Sequence, residues 1–419
     1  MRSINEKGYN TELLSKERVC SCFQPIVCLR TGKIFAYEAL IRGVSPDSQM
    51  IISPADLFAV ADAENKSAEF DMICQRSALE YFKEFSKTTD ALLFMNINTS
   101  LISKDSNNFY DLNSMTQQMG FDPAIIGLEL IESQAKSSKD LVAFVNHYRD
   151  TGFLIVADDF GCEHSNMERL IQIHPDIIKI DRSIISGIEN DAYRQSILKS
   201  INSLSQMTGS LCLAEGVETM EEVLTCYMYG VDLFQGFAVA KPSFDLKQLE
   251  KDTNAKITEM RDIIKSKMVS FLRTKRRLTG NIDSLADWLV RQISTESLDS
   301  MELVFQEFIV INPEVECIYL LDKNGIQLSN TIMSPFLQLP AKSYVFSPAR
   351  KGTDSSLKSY FTCFEAFRIK RYLTDPYLSS ATGNICRTFS VKIFDTDADN
   401  DYIILCMDFV EEVIKTPLS

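Results

Sequence analysis

Apolar and polar positions alternate in blocks along the first 240 residues of the chain. Short runs rich in Val, Ile, Leu and Phe recur: CFQPIVCL (22–29), IFAYEALI (34–41), ALLFMNIN (91–98), IIGLELIE (125–132), FLIVADDF (153–160), DIIKID (176–181), LCLAEGV (211–217) and DLFQGFAV (232–239). Each has the length and composition of a buried strand. Between the later runs, Lys139–Arg149, Ala192–Met207 and Met220–Tyr229 carry apolar residues at helical spacing. Strands alternating with helices predict parallel pairing through βαβ units, and eight such strands in ~240 residues predict a (β/α)8, or TIM, barrel. One link departs from the pattern. Only RTGK (30–33) separates the first two runs. That is long enough for a hairpin and too short for a parallel crossover. The barrel is therefore expected to be irregular, with its first two strands antiparallel.

Beyond Pro242 the periodicity becomes helical. Leu246, Leu249, Ile257, Met260, Ile264, Met268 and Phe271 fall at helix spacing up to about Leu278, and RTKRR (273–277) reads as a solvated basic helix end. Trp288, the lone tryptophan, sits in a further amphipathic stretch. CIYLLDKNGIQLS (317–329) predicts a strand, a turn at Asp322–Gly325 and a second strand. Residues 372–394 and 401–409 add strands of an antiparallel sheet. The expected organisation is an N-terminal extension (1–17), an α/β barrel domain (18–245), a connecting helix (246–280) and an α+β domain (281–419).

Composition narrows the function classes. The net charge of −14 argues against a broad nucleic-acid face, which needs local positive charge, so no DNA partner is expected. No apolar run approaches the ~20 residues of a membrane span. The 11 cysteines match no zinc or redox spacing and read as free thiols in a reducing compartment. The first residues lack the apolar core of a signal peptide. A cytoplasmic location is the expectation.

The candidate chemistry lies at the strand ends. Glu38, Asn96, Glu129, Asp158 with Asp159, Lys179 with Asp181, Glu215 and Gln235 each stand in or just after an apolar run. In a barrel these ends converge on one face. Any one acid there reads equally well as an isolated surface carboxylate. Taken together they would repel one another unless cations lie between them. Oxygen donors indicate hard ions such as Mg²⁺ or Mn²⁺. None of the three histidines, His147, His164 and His174, stands at a strand end, which disfavours a His-rich zinc centre. Adjacent Asp158 and Asp159 suit a two-metal site, one carboxylate bridging.

The motifs YEALIRG (37–43), MNINTS (95–100), LELIES (128–133), ADDFG (157–161), IKIDRSII (178–185), AEGVET (214–219) and FQGFAVAKP (234–242) resemble the ordered motif series of the EAL domain. That family comprises bacterial phosphodiesterases that cleave cyclic di-GMP to linear pGpG. The resemblance covers roughly residues 18–245 and implies an irregular TIM barrel with one antiparallel strand. It implies that Glu38, Asn96, Glu129 and Asp158 hold a first metal and that Asp158 and Asp159 reach a second. Lys179 matches the catalytic lysine, with Asp181 on the same segment. Glu215 matches the general base or water-orienting carboxylate, supported by Glu218. Glu132 matches a glutamate that steadies the loop after the fifth strand. Gln24, Leu40 and Arg42 match substrate contacts, and Gln235 lies by the water and metal. Gln24 before Pro25 also reads as a strand cap, and Arg42 as a surface partner of Glu38.

The loop DFGCEHSNM (159–167) departs from the family's DFGTGYSSL, placing Cys162, Glu163 and His164 where Thr, Gly and Tyr are usual. The metal-ligand set is intact, which favours an enzyme. The altered loop keeps open a second reading, a cyclic di-GMP receptor that signals by binding. Ca²⁺, larger and less activating, is expected to allow binding but inhibit turnover. A homodimer is expected from the family. The C-terminal domain is similar to PAS/Cache-type sensors, and its pairing with an EAL barrel resembles YkuI-like proteins. It is expected to take an unknown small ligand or protein, with Tyr360, Arg371, Tyr377 and Arg387 as candidate pocket residues that read equally well as ordinary sheet positions.

Overall fold

The computed structural model describes residues 11–44, 51–102, 111–131, 137–161, 167–294, 296–337, 345–394 and 402–410. The chain divides into two compact units, Met1–Lys265 and Ser266–Ser419.

In the first unit, β1 (Val19–Cys28) and β2 (Lys33–Val44) form the expected hairpin and pair antiparallel along their whole length. The short β3 (Ile51–Ile52) adds to the end of β2. Two helices follow, α1 (Pro54–Ala63) and α2 (Ser67–Phe82), then β4 (Leu92–Ile97), α3 (Asp111–Met119), β5 (Ile126–Ile131), α4 (Ser138–Asp150), β6 (Leu154–Phe160), α5 (Met167–Ile173) and β7 (Ile177–Ile180). The short α6 (Arg182–Ile185) precedes α7 (Ala192–Thr208), β8 (Leu211–Ala214), α8 (Met220–Met228) and β9 (Leu233–Phe234). The strands run in the order β1-β9-β8-β7-β6-β5-β4-β2, and the β1–β2 pairing closes the ring. Every pairing from β2 through β4 to β9 is parallel, whereas β1 is antiparallel to both neighbours. This is an eight-stranded barrel with one reversed strand.

Local chemistry sets the helix ends. Ser53, Ser137 and Asp191 accept backbone N–H bonds at the starts of α1, α4 and α7. Thr219 and Glu222 form a reciprocal capping box on α8. Gly209 ends α7 in the left-handed region at φ 78°.

The second unit begins within α9 (Leu246–Ile293). The helix expected over 246–280 runs on to Ile293 and takes in Trp288, because Ile282, Ala286, Leu289 and Ile293 continue a buried apolar stripe. It is followed by α10 (Leu298–Ile311), β10 (Val315–Leu321), β11 (Ile332–Met333), α11 (Ser359–Phe367), β12 (Arg371–Leu373), β13 (Tyr377–Leu378), β14 (Ile385–Phe394) and β15 (Tyr402–Val410). These strands form one antiparallel sheet, β11-β10-β15-β14-β12, with β13 beside β14. The expected turn at Asp322–Gly325 is present, but in place of the expected second strand the chain after it makes two isolated bridges, Gln327 to Leu321 and Ile326 to Asp354. No helix among the described residues is long and apolar enough to cross a membrane.

Gly236, in the loop after β9, has φ 150° and sits against Val217. A Cβ there would collide with the Val217 backbone, which cannot swing aside. Gly236→Ala is expected to destabilise the barrel by about 3 kcal/mol or more, as overpacking does. Gly209→Ala, with open space around its Cβ, should cost only ~1 kcal/mol for the left-handed backbone. Urea unfolding of both variants checks this; equal losses contradict it.

Candidate functional site

The barrel interior carries an apolar layer built from one residue of nearly every strand: Ile26, Ala36, Phe94, Val156, Ile177, Leu213 and Leu233. Side chains two residues apart on a strand share a face. Two residues further along the parallel strands stand Glu38, Asn96, Asp158, Lys179, Glu215 and Gln235. On reversed β1 the equivalent step is backwards, from Ile26 to Gln24. On β5 it runs from Gly127, which lies against the Phe94 ring, to Glu129. A polar ring of eight side chains therefore caps the apolar layer. Gln24 stands opposite Glu38, and Asn96 opposite Glu129; at other junctions the ring is staggered by one pleat, Glu38 standing opposite Phe94 and Lys179 opposite Leu213.

Lys179 is the hub of this ring. It is 1% exposed, and its Nζ lies 2.9 Å from Glu129 Oε1, 3.0 Å from Asp158 Oδ1, 3.6 Å from Glu215 Oε2 and 3.7 Å from Glu38 Oε2. Asn96 Nδ2 donates to Glu38 Oε1 at 2.9 Å, and Gln235 Nε2 donates to Glu38 Oε2 at 2.5 Å. Gln24 Nε2 is held by the Ala240 carbonyl at 3.0 Å. Asp159 joins the ring through a backbone irregularity. The β6–β7 register shifts between Ala157 and Phe160, and Asp159 takes φ 55°, uncommon for a residue other than glycine. Successive residues of a regular strand face opposite sides, yet oxygens of Asp158, Asp159 and Glu215 all lie within 4.8 Å of one another.

Burial and charge act together on these groups. Burial drives Glu129 well above the usual carboxylate range, Glu38 adds to this, and Lys179 only partly opposes it. Burial likewise pushes Glu215 up to about 7 against the pull of Lys179. Asp159 is raised by burial and by Asp158 beside it. Glu38 goes the other way: burial is outweighed by Lys179 and by the bonds from Gln235 and Asn96. Burial disfavours the Lys179 ammonium, but Asp158, Glu129 and the other acids hold it charged. Five carboxylates around one lysine leave a surplus of negative charge, and Glu129 Oε2 is buried without a hydrogen bond. Oxygen donors in surplus over their counter-charge fit hard divalent cations.

Other expected site residues stand outside the ring. Asp181 caps α6, accepting the Ser183 N–H at 2.8 Å. Glu218 is exposed and pairs with Arg182 at 2.7 Å. Arg42 is half-buried and donates to the Ile41 carbonyl rather than pairing with Glu38. Glu132 and residues 162–166 of the altered loop lie outside the described residues. Two cavities flank the ring. One, of about 610 Å³, is lined by Leu40, Ile41, Asp71, Asn96 and Asn98 among others. The other, of about 180 Å³, is lined by Gln24, Arg182, Glu215, Gln235 and Phe237 among others. Arg182 and Phe237 were missed in the sequence. Both stand inside quoted motifs, IKIDRSII and FQGFAVAKP, but the strand-end pattern does not reach them.

The EAL domain family model matches residues 9–242. The chain belongs to the EAL domain family. In sequence this EAL chain is similar to the EAL-domain containing protein YkuI of Bacillus subtilis (strain 168), 24% identical over 395 residues, 91% of this chain and 93% of YkuI. It is also similar to the cyclic di-GMP phosphodiesterase PdeR of Escherichia coli (strain K12), 25% identical over 233 residues, 55% of this chain and 34% of PdeR. The chain thus spans about a third of that relative. In structure it resembles B. subtilis YkuI crystallised with substrate c-di-GMP and calcium, with 23% identity and a TM-score of 0.73, covering 97% of this chain and 98% of that one. The structural likeness is one of fold.

Two outcomes follow for the metal-free EAL barrel. Lys179→Met leaves the buried acids without their cation and should cost about 3–5 kcal/mol in urea unfolding; a loss below ~1 kcal/mol contradicts the central role of the lysine. Glu129 and Glu215 hold protons more tightly folded than unfolded, so their stability contribution is full below their ordinary value of 4.5 and is lost as pH rises through their raised folded values, about 7 for Glu215. In EDTA the melting temperature should fall between about pH 5 and pH 8, and Glu215→Gln should flatten that fall. A flat profile for the parent protein contradicts the raised carboxyls.

Proposed function

We propose that the chain is a metal-dependent phosphodiesterase that hydrolyses cyclic di-GMP to linear pGpG. The observation that carries this reading is the ring of buried carboxylates gathered around Lys179 at the mouth of an EAL barrel. The naming of PdeR as a cyclic di-GMP phosphodiesterase supports it.

Glu38, Asn96, Glu129 and Asp158 would hold one divalent cation, Mg²⁺ or Mn²⁺, and Asp158 with Asp159 a second. When bound, such ions lower the pKa of water and neutralise charge on a phosphoryl group. The chain's own residues do the rest. Glu215, with an oxygen within 4.8 Å of oxygens of Asp158 and Asp159, takes the proton of the attacking water. Lys179 supplies fixed positive charge where negative charge develops on the phosphate. Gln235 and Gln24, themselves 3.4 Å apart, orient the water and the substrate edge. Arg42, at the end of β2, meets a phosphate. Phe237 is 56% exposed beside Glu215 and Gln235 and offers a ring on which a guanine stacks. The larger cavity, lined by Leu40, receives the other half of the dinucleotide.

The reading extends to control. Within the first unit, Leu249, Ile257, Met260 and Ile264 of α9 are buried; within the second, Ile282, Ala286, Leu289 and Ile293 of the same helix are buried. One helix contributing to both cores supports a rate that depends on the C-terminal domain acting as a sensor, in an enzyme that the family resemblance makes a homodimer.

Purified full-length protein with cyclic di-GMP and Mg²⁺ or Mn²⁺ should release pGpG. Asp158→Asn should lower kcat at least ~10²-fold, and Ca²⁺ should support binding without turnover. Binding of cyclic di-GMP with no pGpG under any of these ions would instead mark a receptor. Turnover and light-scattering mass should both differ between the full-length chain and residues 1–265; equal rates from two monomers would make the second unit a passenger.

A further inference from the structure

The sheet of the second unit has two unlike faces. Leu405, Met407 and Phe409 of β15, with Phe389 and Val391 of β14, join the apolar core that includes residues of α9 and α10. The intervening residues face the other way. Ile404 and Cys406 of β15 pack there with Tyr319, Tyr360 and Phe364. By the same alternation Asp408 of β15 shares that face, although it is only 4% exposed.

Asp408 lines a cavity of about 170 Å³, together with Tyr319, Tyr360, Tyr377, Gln327 and Lys358. Tyr360 and Tyr377 thus occupy the pocket expected from the sequence. Arg371 does not; it pairs instead with Asp283 and Asp287 of α9. Arg387 is likewise not among the lining residues. The rings of Tyr319 and Tyr360 meet edge-on at 6.0 Å, and Tyr360 and Tyr377 lie 6.5 Å apart. Thr388 Oγ1 donates its single proton to Asp408 Oδ1 at 2.7 Å, so the Tyr377 hydroxyl, 2.5 Å away, donates to Thr388. Both hydroxyl protons are directed towards the carboxylate, which is the arrangement that favours its charged form.

Among the described residues no cation answers this charge. Neither Asp408 nor the neighbouring Glu316, 1% exposed, forms an ion pair with a Lys, Arg or His among the described residues. One Glu316 oxygen accepts from Asn384 at 3.0 Å; the other is buried without a hydrogen bond. Lys358, at the cavity rim, is exposed and draws on Asp408 only weakly. Burial raises the Asp408 carboxyl to about 7, with Glu316 adding to the effect. A buried acid that is hydrogen-bonded for ionisation yet lacks a cation is costly unless it takes up a proton or a cation enters from outside, and above about pH 7 the second becomes the favoured answer.

We propose that this cavity binds a small organic cation, a primary alkylammonium, held by the Asp408 carboxylate and faced by the rings of Tyr319, Tyr360 and Tyr377. Aromatic faces beside a carboxylate suit a desolvated ammonium. Of the two lining carboxylates Asp354 is exposed and only Asp408 is buried, and one buried carboxylate among phenols offers too few hard oxygens for Ca²⁺ or Mg²⁺. Two buried acids exclude an anion. The volume equals roughly six waters at ~30 Å³ each, which limits the guest to a molecule about the size of ethylamine or butylamine. This site stands whether or not the barrel is a phosphodiesterase.

The test is calorimetric titration of the full-length protein near pH 7.5 with ethylammonium, n-butylammonium, 1,4-diaminobutane, n-butanol and butyrate. At least one ammonium should bind, and n-butanol and butyrate should bind at least tenfold more weakly than the ammonium. Asp408→Asn, similar in shape but neutral, should lower ammonium affinity tenfold or more, whereas Tyr377→Phe, which keeps the ring, should change it less than threefold. Near-UV circular dichroism reports whether each variant keeps its fold. The comparison of n-butylammonium with n-butanol needs no variant and decides the matter if Asp408→Asn unfolds. The proposal is overturned if no ammonium binds, if n-butanol binds as tightly as n-butylammonium, or if folded Asp408→Asn binds the ammonium as well as the parent.

Discussion

The barrel depends on one electrostatic constraint: carboxylates from β2, β5 and β6, and from the end of β8, converge on a single buried ammonium. Separately, each acid would be costly to bury. Together they are tolerated because Lys179, rooted in the apolar strand β7, reaches all of them. The apolar layer beneath, with Phe94 lying against Gly127, fixes the height at which these side chains emerge. The polar ring is thus a continuation of the core packing by one pleat, and the core and the site cannot be altered independently.

Closure of the ring depends on the reversed strand. Because β1 runs against its neighbours, Gln24 precedes its core residue Ile26, whereas every other ring residue follows its own. The same hairpin places Glu38 opposite Gln24 and within reach of Gln235. Irregular backbone completes the arrangement. The register shift in β6 turns Asp159 to the side of Asp158, at the cost of a left-handed backbone on a non-glycine residue. A regular strand would have presented only one of the two.

The second unit solves a related problem differently. Its sheet buries Asp408 and Glu316 with hydroxyls and an amide rather than with a lysine. Hydrogen bonds satisfy geometry but do not cancel charge. The barrel interior carries its own cation, whereas among the described residues no lysine, arginine or histidine pairs with the two acids of the sheet.

What the sequence determined by itself was periodicity and its consequences. The eight strand runs, the helices α4, α7 and α8 and the four-residue link that makes β1 antiparallel were legible, because burial alternates with fixed periods in strands and helices; α1, α2, α3, α5 and α6 were not read from the pattern. The strand-end acids were legible as a set for the same reason, since a barrel brings equivalent ends together. Tertiary structure decided what periodicity does not encode. It joined Gln235 to Glu38 across 197 positions of sequence. It sent Glu218 and Arg371 outward to ion pairs with Arg182, Asp283 and Asp287, and it put Arg182 and Phe237 beside Glu215. It also carried α9 past Leu278 to Ile293, because the buried stripe of Ile282, Ala286, Leu289 and Ile293 belongs to a second core. Which polar group meets which depends on distances between segments remote in the chain, and packing sets those distances where local pattern cannot.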